Sequence, residues 1–463
     1  MQQENSHELG QTNIKKLLFK YSSPAIIAML FNSLYNMVDT IFVGRGAGTL
    51  AIAGLAISFP IQMLVMAIAQ TVGIGAASII SRSLGAGDKK RAAQAAGNAF
   101  TIVSILSIAF MVFGLTYLTP LLRLFGATEA ILPYAREYMS VILAGSVFFS
   151  LAVCSNNIVR AEGFAKVAMY SMLIGAIGNI ILDPIFIFTF DMGIRGAALA
   201  TIIAQFGSFL YLAVFFLRGS SSVKISRQGL KINWQLVPEI FAVGASSFVR
   251  TVAGSLFSIV VNNSIAYYGA DIHIAVLGVA NRLITFTMMP IMGIIQGLQP
   301  IIGFNYGAKK FARVKESLQL AIKVASAFAL VGYLGMMLFT EQFVRIFNND
   351  PALVVEAVPI IRAMALLIPL IGFQMVGSSL FQAIGRAAPA LFLSMSRQLL
   401  ILIPLVLILP LSMGLIGIFY AFPLSDLLST IITSLWLRRE MRIMSKEKGD
   451  GPAKADDHLE KVS

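Results

Sequence analysis

Long apolar runs alternate with short polar loops along most of the chain. They fall near 17–43, 51–80, 95–119, 136–158, 167–189 and 194–217. They resume near 237–267, 274–301, 318–340, 358–383, 390–411 and 414–437. A helix rising 1.5 Å per residue needs about 20 such residues to cross the hydrocarbon of a bilayer. The ~10-residue alternation of a membrane barrel is not what these runs show. The pattern predicts an all-α membrane protein with twelve spans in two bundles of six. A polar link that opens with Gly219, Ser220, Ser221 and Ser222 divides them. On this division residues 1–218 form the first lobe and 219–235 a cytoplasmic linker. Residues 236–440 form the second lobe, and 441–463 a charged tail expected to be disordered.

Composition strengthens that picture. Hydrophobic residues make up 57% of the 463, charged residues 12%, and the mean hydropathy is +0.82; a soluble domain carries about 25% charged residues. The net charge of +13 sits largely in short loops on one side. Arg82, Lys89, Lys90 and Arg91 mark one such loop, and Lys309, Lys310, Arg313 and Lys315 another. Lys and Arg gather on the cytoplasmic side of membrane proteins, which puts both termini in the cytoplasm. Loop topology thus accounts for the charge, with membrane lipid and no nucleic acid as the surroundings. The layout suits a multi-pass protein of a prokaryotic plasma (inner) membrane. Cys154 is the single cysteine, so no disulfide forms within the chain; it reads as a packing residue. Lys15, Lys16 and Lys20 precede the first run as in a signal peptide. That run is too long for a signal peptide's apolar region, so it is read as a retained span.

The two halves repeat one another. "LGAGDKKRA" (84–92) resembles "YGAKKFARV" (306–314), and "AEGFAKVAM" (161–169) resembles "AIGRAAPAL" (383–391). "MGIRG" (192–196) resembles "MGLIG" (413–417), and Arg123-Leu124-Phe125 matches Arg345-Ile346-Phe347. All four matches keep an offset of 221 or 222 residues. Six spans is an even number, so both copies enter from the same side. The repeat is therefore parallel, with a pseudo-two-fold axis along the membrane normal. Two such bundles with a cleft between them suit a transporter that works by alternating access.

Polar groups inside the spans carry the chemistry. A carboxylate at mid-membrane costs roughly 2.5–3.5 kcal/mol or more, so an intramembrane acid is a functional candidate. Asp39 lies in the first span, Asp183 in the fifth and Asp426 in the twelfth; Glu239, at the start of the seventh, reads as interfacial. Asn179 and Asp183 share a helix face at i and i+4. Asp39 and Thr201 fall at a similar depth in the first and sixth spans. Carboxylate, amide and hydroxyl oxygens are the ligands a proton or Na⁺ needs. Two buried carboxylates repel unless a proton or cation sits between them. Pro184 removes a backbone donor beside Asp183 and can bend the fifth span. A wider polar and Met-rich set reads as a cavity for varied apolar cations. It comprises Tyr35, Asn36, Gln62, Met63, Met66, Gln70, Asn156, Asn157, Asn262, Met288, Met289, Met292 and Gln296. Arg250, in the seventh span, needs a partner that its own helix does not obviously supply.

The chain resembles the multidrug and toxic compound extrusion (MATE) family, closest to its MepA-like and archaeal DinF-type branch. The resemblance covers roughly 15–440 and rests on six stretches together. They are "SPAIIAMLFNSLYNMVDTIFVG" (23–44), "SRSLGAGDKKRA" (81–92), "RAEG" (160–163), "GNIILDPIFIF" (178–188), "GIRGAALATIIAQ" (193–205) and "QAIGRA" (382–387). It implies a V-shaped pair of six-helix bundles that exports organic cations or amphipathic drugs against a H⁺ or Na⁺ gradient. It also implies that Asp39, Asn179, Asp183 and Thr201 form a cation site in the first lobe, with Tyr138 beside it. The tenth span, 358–383, lacks the acid that the Na⁺-coupled branch keeps there, and Asp39 aligns with an amide, Asn263. Coupling is therefore expected in the first lobe.

The expectation is a multidrug antiporter, monomeric, with no cofactor beyond the coupling ion. A flippase for lipid-linked oligosaccharide or polysaccharide is the alternative. It would need a cleft lined with many Arg and Lys to hold pyrophosphate, where Arg250 and Arg282 are few. An enzyme would need a cluster such as paired His; His7, His273 and His458 lie outside or at the edges of the spans, and no such motif occurs.

Overall fold

The structure, a computed structural model, describes residues 8–219, 221–223, 229–347 and 350–447. Among them there is helix and no strand. The first half contains α1 (Ile14–Ala47), α2 (Thr49–Gly85), α3 (Lys89–Thr116), α4 (Leu132–Ala161), α5 (Ala165–Thr189) and α6 (Gly193–Leu217). The second contains α7 (Leu236–Tyr268), α8 (Asp271–Gly307), α9 (Phe311–Leu338), α10 (Pro351–Ala365 with Ile368–Ala383), α11 (Ala387–Met413) and α12 (Leu415–Glu447). Eleven are long and apolar enough to cross a membrane, and the two parts of α10 make a twelfth span bent by 44°.

The repeat is visible element by element. A short helix follows the third span of each half, Leu118–Leu124 in one and Thr340–Phe347 in the other. The fifth span of each half passes through a π-helical stretch, Ile185–Thr189 in α5 and Ser396–Leu402 in α11. Proline explains both. Pro184 and Pro404 have no N–H to give to the preceding turn, and the ladder adjusts next to them. In α5 the Phe190 N–H reaches back five residues to Ile185 O, at 3.0 Å.

Three boundaries differ from the hydropathy reading. The tenth span is not one helix from 358. It begins at Pro351, where the Asp350 side chain accepts from the Ala352 N–H at 2.9 Å. It breaks at Leu366–Leu367, because Pro369 cannot bond back across the junction. Residues 441–447, expected in a disordered tail, continue α12 as helix; the rest of that tail, 448–463, lies outside the described residues. The expected linker 219–235 is not a free connection. Asn98 on α3 holds it by donating to Gly229 O and Lys231 O (3.2 and 3.1 Å) and accepting from the Asn233 N–H at 2.6 Å. Glu162, just past α4, accepts from the Ser221 hydroxyl (2.7 Å) and the Ser222 N–H (2.7 Å). Burial pushes the Glu162 carboxyl up to about 7, although those bonds pull the other way. Residues 220 and 224–228 of the linker lie outside the described residues.

The halves meet at the end that carries both termini. There Gly85 of α2 lies so close to α8 that a Cβ would stand 1.9 Å from Phe304 O, and a Cβ on Gly307 of α8 would stand 2.0 Å from Arg82 O. These are the paired glycines of the two repeated loops, and only glycine permits backbones this close. Glu239, at the start of α7, pairs across the seam with Arg82 (2.9 Å) and Arg91 (2.6 Å). The N-terminal segment crosses as well: Asn305 and Arg313 donate to Leu9 O, and Lys310 to Gly10 O. Toward the other end the halves part, and α1 has no buried residue between Ala28 and Val43. The overall shape is a V, closed at the termini.

Candidate functional site

α1, α5 and α6 build the ionisable cluster. Gly46 lets α1 lie against the π-helical stretch of α5, since a Cβ there would stand 2.2 Å from the Ile187 side chain. That contact brings Asp39 of α1 beside Asp183 of α5, so that the two carboxyl groups interact. Asn179, one turn before Asp183, donates to Asp183 Oδ1 and to Thr201 Oγ1, each at 3.1 Å. Tyr138 on α4 closes one side, its hydroxyl accepting from Gln62 Nε2 at 3.2 Å. Tyr35, one turn before Asp39, lies close enough to feel both carboxylates.

Three buried oxygens in this cluster have no hydrogen-bond partner among the described residues: Asp39 Oδ1, Asn179 Oδ1 and Asp183 Oδ2. Buried acceptors without donors are rare and call for an explanation. Carboxylate, amide and hydroxyl oxygens are the ligand set that a proton or a hard monovalent cation would take. The structure thus gathers all five residues that the sequence marks for ion coupling.

The wider cavity set is scattered. Asn157 and Gln296 line one small cavity between the halves, and Asn157 donates to Gln70 Oε1 at 3.2 Å. Asn156 instead donates to Ala168 O and Ser171 Oγ (2.8 and 2.7 Å), which ties α4 to α5 inside the first half. Asn36 donates to Asn32 O on its own helix. Asn36, Met66 and Asn262 are exposed, while Met63, Met288, Met289 and Met292 are half-buried.

Two arginines escaped the sequence reading. Arg160 falls just beyond the fourth span as drawn at 136–158, in the "RAEG" stretch to which no role was given, yet it is part of the seam between the halves. Arg397 of α11 pairs with Asp426 of α12, Nε to Oδ1 at 2.6 Å. Their separation of 29 residues hides the pairing from local inspection. Among the described residues Arg250 finds only Ser247 Oγ, 3.4 Å away on its own helix.

Two parallel six-span halves, closed together at one end and holding buried acids in the membrane, define a helical membrane transporter. The MatE family model matches residues 24–185 and again 247–408, once in each half, and the chain belongs to that family. It is 27% identical over 439 residues to the multidrug export protein MepA of Staphylococcus aureus (strain N315), covering 94% of this chain and 96% of that one. Among solved structures it is similar to the MATE multidrug transporter DinF-BH, at 41% identity, a TM-score of 0.88, and coverage of 94% and 98%. It is also similar to a MATE protein in the bent conformation, at 27% identity, a TM-score of 0.91, and coverage of 96% and 99%.

Proposed function

We propose that this protein is a secondary active exporter of organic cations and amphipathic drugs, driven by the return of H⁺ or Na⁺ through Asp39, Asn179, Asp183 and Thr201. One observation carries the reading: three buried oxygens of that cluster lack partners, and an ion completes them. The basic loops lie at the closed end, which we assign to the cytoplasm of a bacterial inner membrane. The open V then faces outward, and the ion reaches Asp39 from outside as the drug leaves. Asn179 holds Asp183 and Thr201 in place by its two donated bonds, which leaves its own oxygen free for the ion. The protein works as a monomer, since each chain contains both halves and the cleft.

Export of ethidium from proteoliposomes, under a pH gradient or a Na⁺ gradient imposed one at a time, tests the proposal. Wild type responds to at least one gradient, and Asp183→Asn loses the response. Ethidium export by D183N at the wild-type rate would overturn the coupling role.

A further inference from the structure

The seam between the halves contains a charge that the ion site does not use. Arg160, in the last turn of α4, bonds across the seam to the Gln296 side-chain oxygen and along its own helix to Asn156 Oδ1. Its buried Nε has no acceptor among the described residues. Ser78, Asn157, Gln299 and Gln382 line the same cavity, and no acidic side chain among the described residues does. A guanidinium keeps its charge in proteins. Buried in a seam, it ordinarily has an anion for a partner. Arg82, nearby in the same seam, has Glu239; among the described residues Arg160 has only amides.

The cavity measures about 20 Å³ in this state, room for about one water molecule. A larger group enters only when the seam parts. Alternating access exposes in one state what it hides in the other. The walls of this seam therefore become the floor of the cleft when it opens toward the termini. At that moment Gln296 leaves with the second half, and the Arg160 fork loses its partner across the seam. The surface then offered to an incoming molecule carries one uncompensated positive charge, flanked by neutral amides and a hydroxyl.

We propose that Arg160 is a loading-side anchor for an anionic group on the substrate, a carboxylate above all. Its planar fork matches a carboxylate in two parallel bonds. The anchor would then set how strongly the protein favours an amphiphile that bears an acid over its neutralised counterpart. This inference rests on the export reading above and extends it from the ion to the substrate.

Rhodamine B and its ethyl ester make a matched pair of probes, identical except that the ester has no free carboxylate. Wild type exports both. Arg160→Gln lowers export of the acid about tenfold or more relative to the ester, the weight of one charge-assisted bond. Arg160→Lys, which keeps the charge and loses the fork, falls between. An acid-to-ester ratio unchanged in R160Q overturns the proposal, as does a wild type that exports the ester and not the acid. A wild type that exports neither overturns the export reading itself. The purified wild-type protein provides a second measurement that needs no variant: rhodamine B binds at least as tightly as its ester, and weaker binding refutes the anchor.

Discussion

Replacing Gly85 by alanine puts a methyl group where α2 touches α8. The new Cβ would stand 1.9 Å from Phe304 O and 2.7 Å from its carbonyl carbon, both backbone atoms of a helix. A carbon–oxygen contact settles near 3.3 Å. The two backbones must therefore part by about 1.4 Å, because neither can rotate the clash away. Overpacking of this kind costs about 1–3 kcal/mol. A penalty of that size on the closed seam shifts the open-to-closed ratio roughly 5- to 150-fold. Gly307→Ala meets Arg82 O at 2.0 Å and acts on the same contact from the other half. The double variant should shift the ratio by less than the product of the single effects, since helices already parted accept the second methyl more readily. Ser81 is buried in this seam, and a cysteine there reports its opening. In an S81C background that also carries C154A, a membrane-impermeant maleimide applied from the termini side labels G85A and G307A faster than the parent. Labelling rates equal to the parent in both variants would show that these glycines do not control the seal.

Two further outcomes follow from buried charge. The raised carboxyl of Glu162 means that the folded protein holds its proton more tightly than the unfolded chain does. Its contribution to stability is full below its ordinary value of 4.5 and is lost as pH rises through about 7. The melting temperature of wild type should therefore fall more steeply between pH 5 and pH 8 than that of Glu162→Gln; parallel curves would contradict this. In the Arg397–Asp426 pair, Asp426 retains 2% of its side-chain exposure and Arg397 24%. Removing one partner of a buried pair costs about 3–5 kcal/mol, and the deeper survivor suffers more. Arg397→Met should lower the melting temperature further than Asp426→Asn, and the reverse order would refute the argument.

The sequence made the ion cluster legible and the seam illegible, for one physical reason. Asn179 and Asp183 are one turn apart, and an acid inside an apolar run stands out wherever it falls. Asp39 and Thr201 could be matched by depth, because each span has a fixed rise and direction. The seam depends on which helix faces touch, and hydropathy does not record that. Arg160 lies at a helix end, where a basic residue looks ordinary, and only the approach of Gln296 from the other half reveals its setting. Proline cut both ways. Pro184 signalled an irregular ladder in α5, and the π-helical stretch is there. Pro369 broke α10 inside a run that hydropathy alone read as continuous.

The same reasoning explains how a duplicated plan yields one candidate ion site. In the first half, the fifth and sixth spans supply Asn179, Asp183 and Thr201, with oxygens left unpartnered beside Asp39. In the second half, the matching spans α11 and α12 supply Arg397 and Asp426, already bonded at 2.6 Å. A carboxylate with a guanidinium fixed against it has its cation built in, and it gains little from another. Asn263, the approximate counterpart of Asp39, is an amide that borders a cavity between α7 and α11 and brings no charge. On the proposed coupling, a bound proton or Na⁺ would change the net charge of the first half alone. Its free energy would then act on one half relative to the other, and only such a difference can move two bundles across a shared seam.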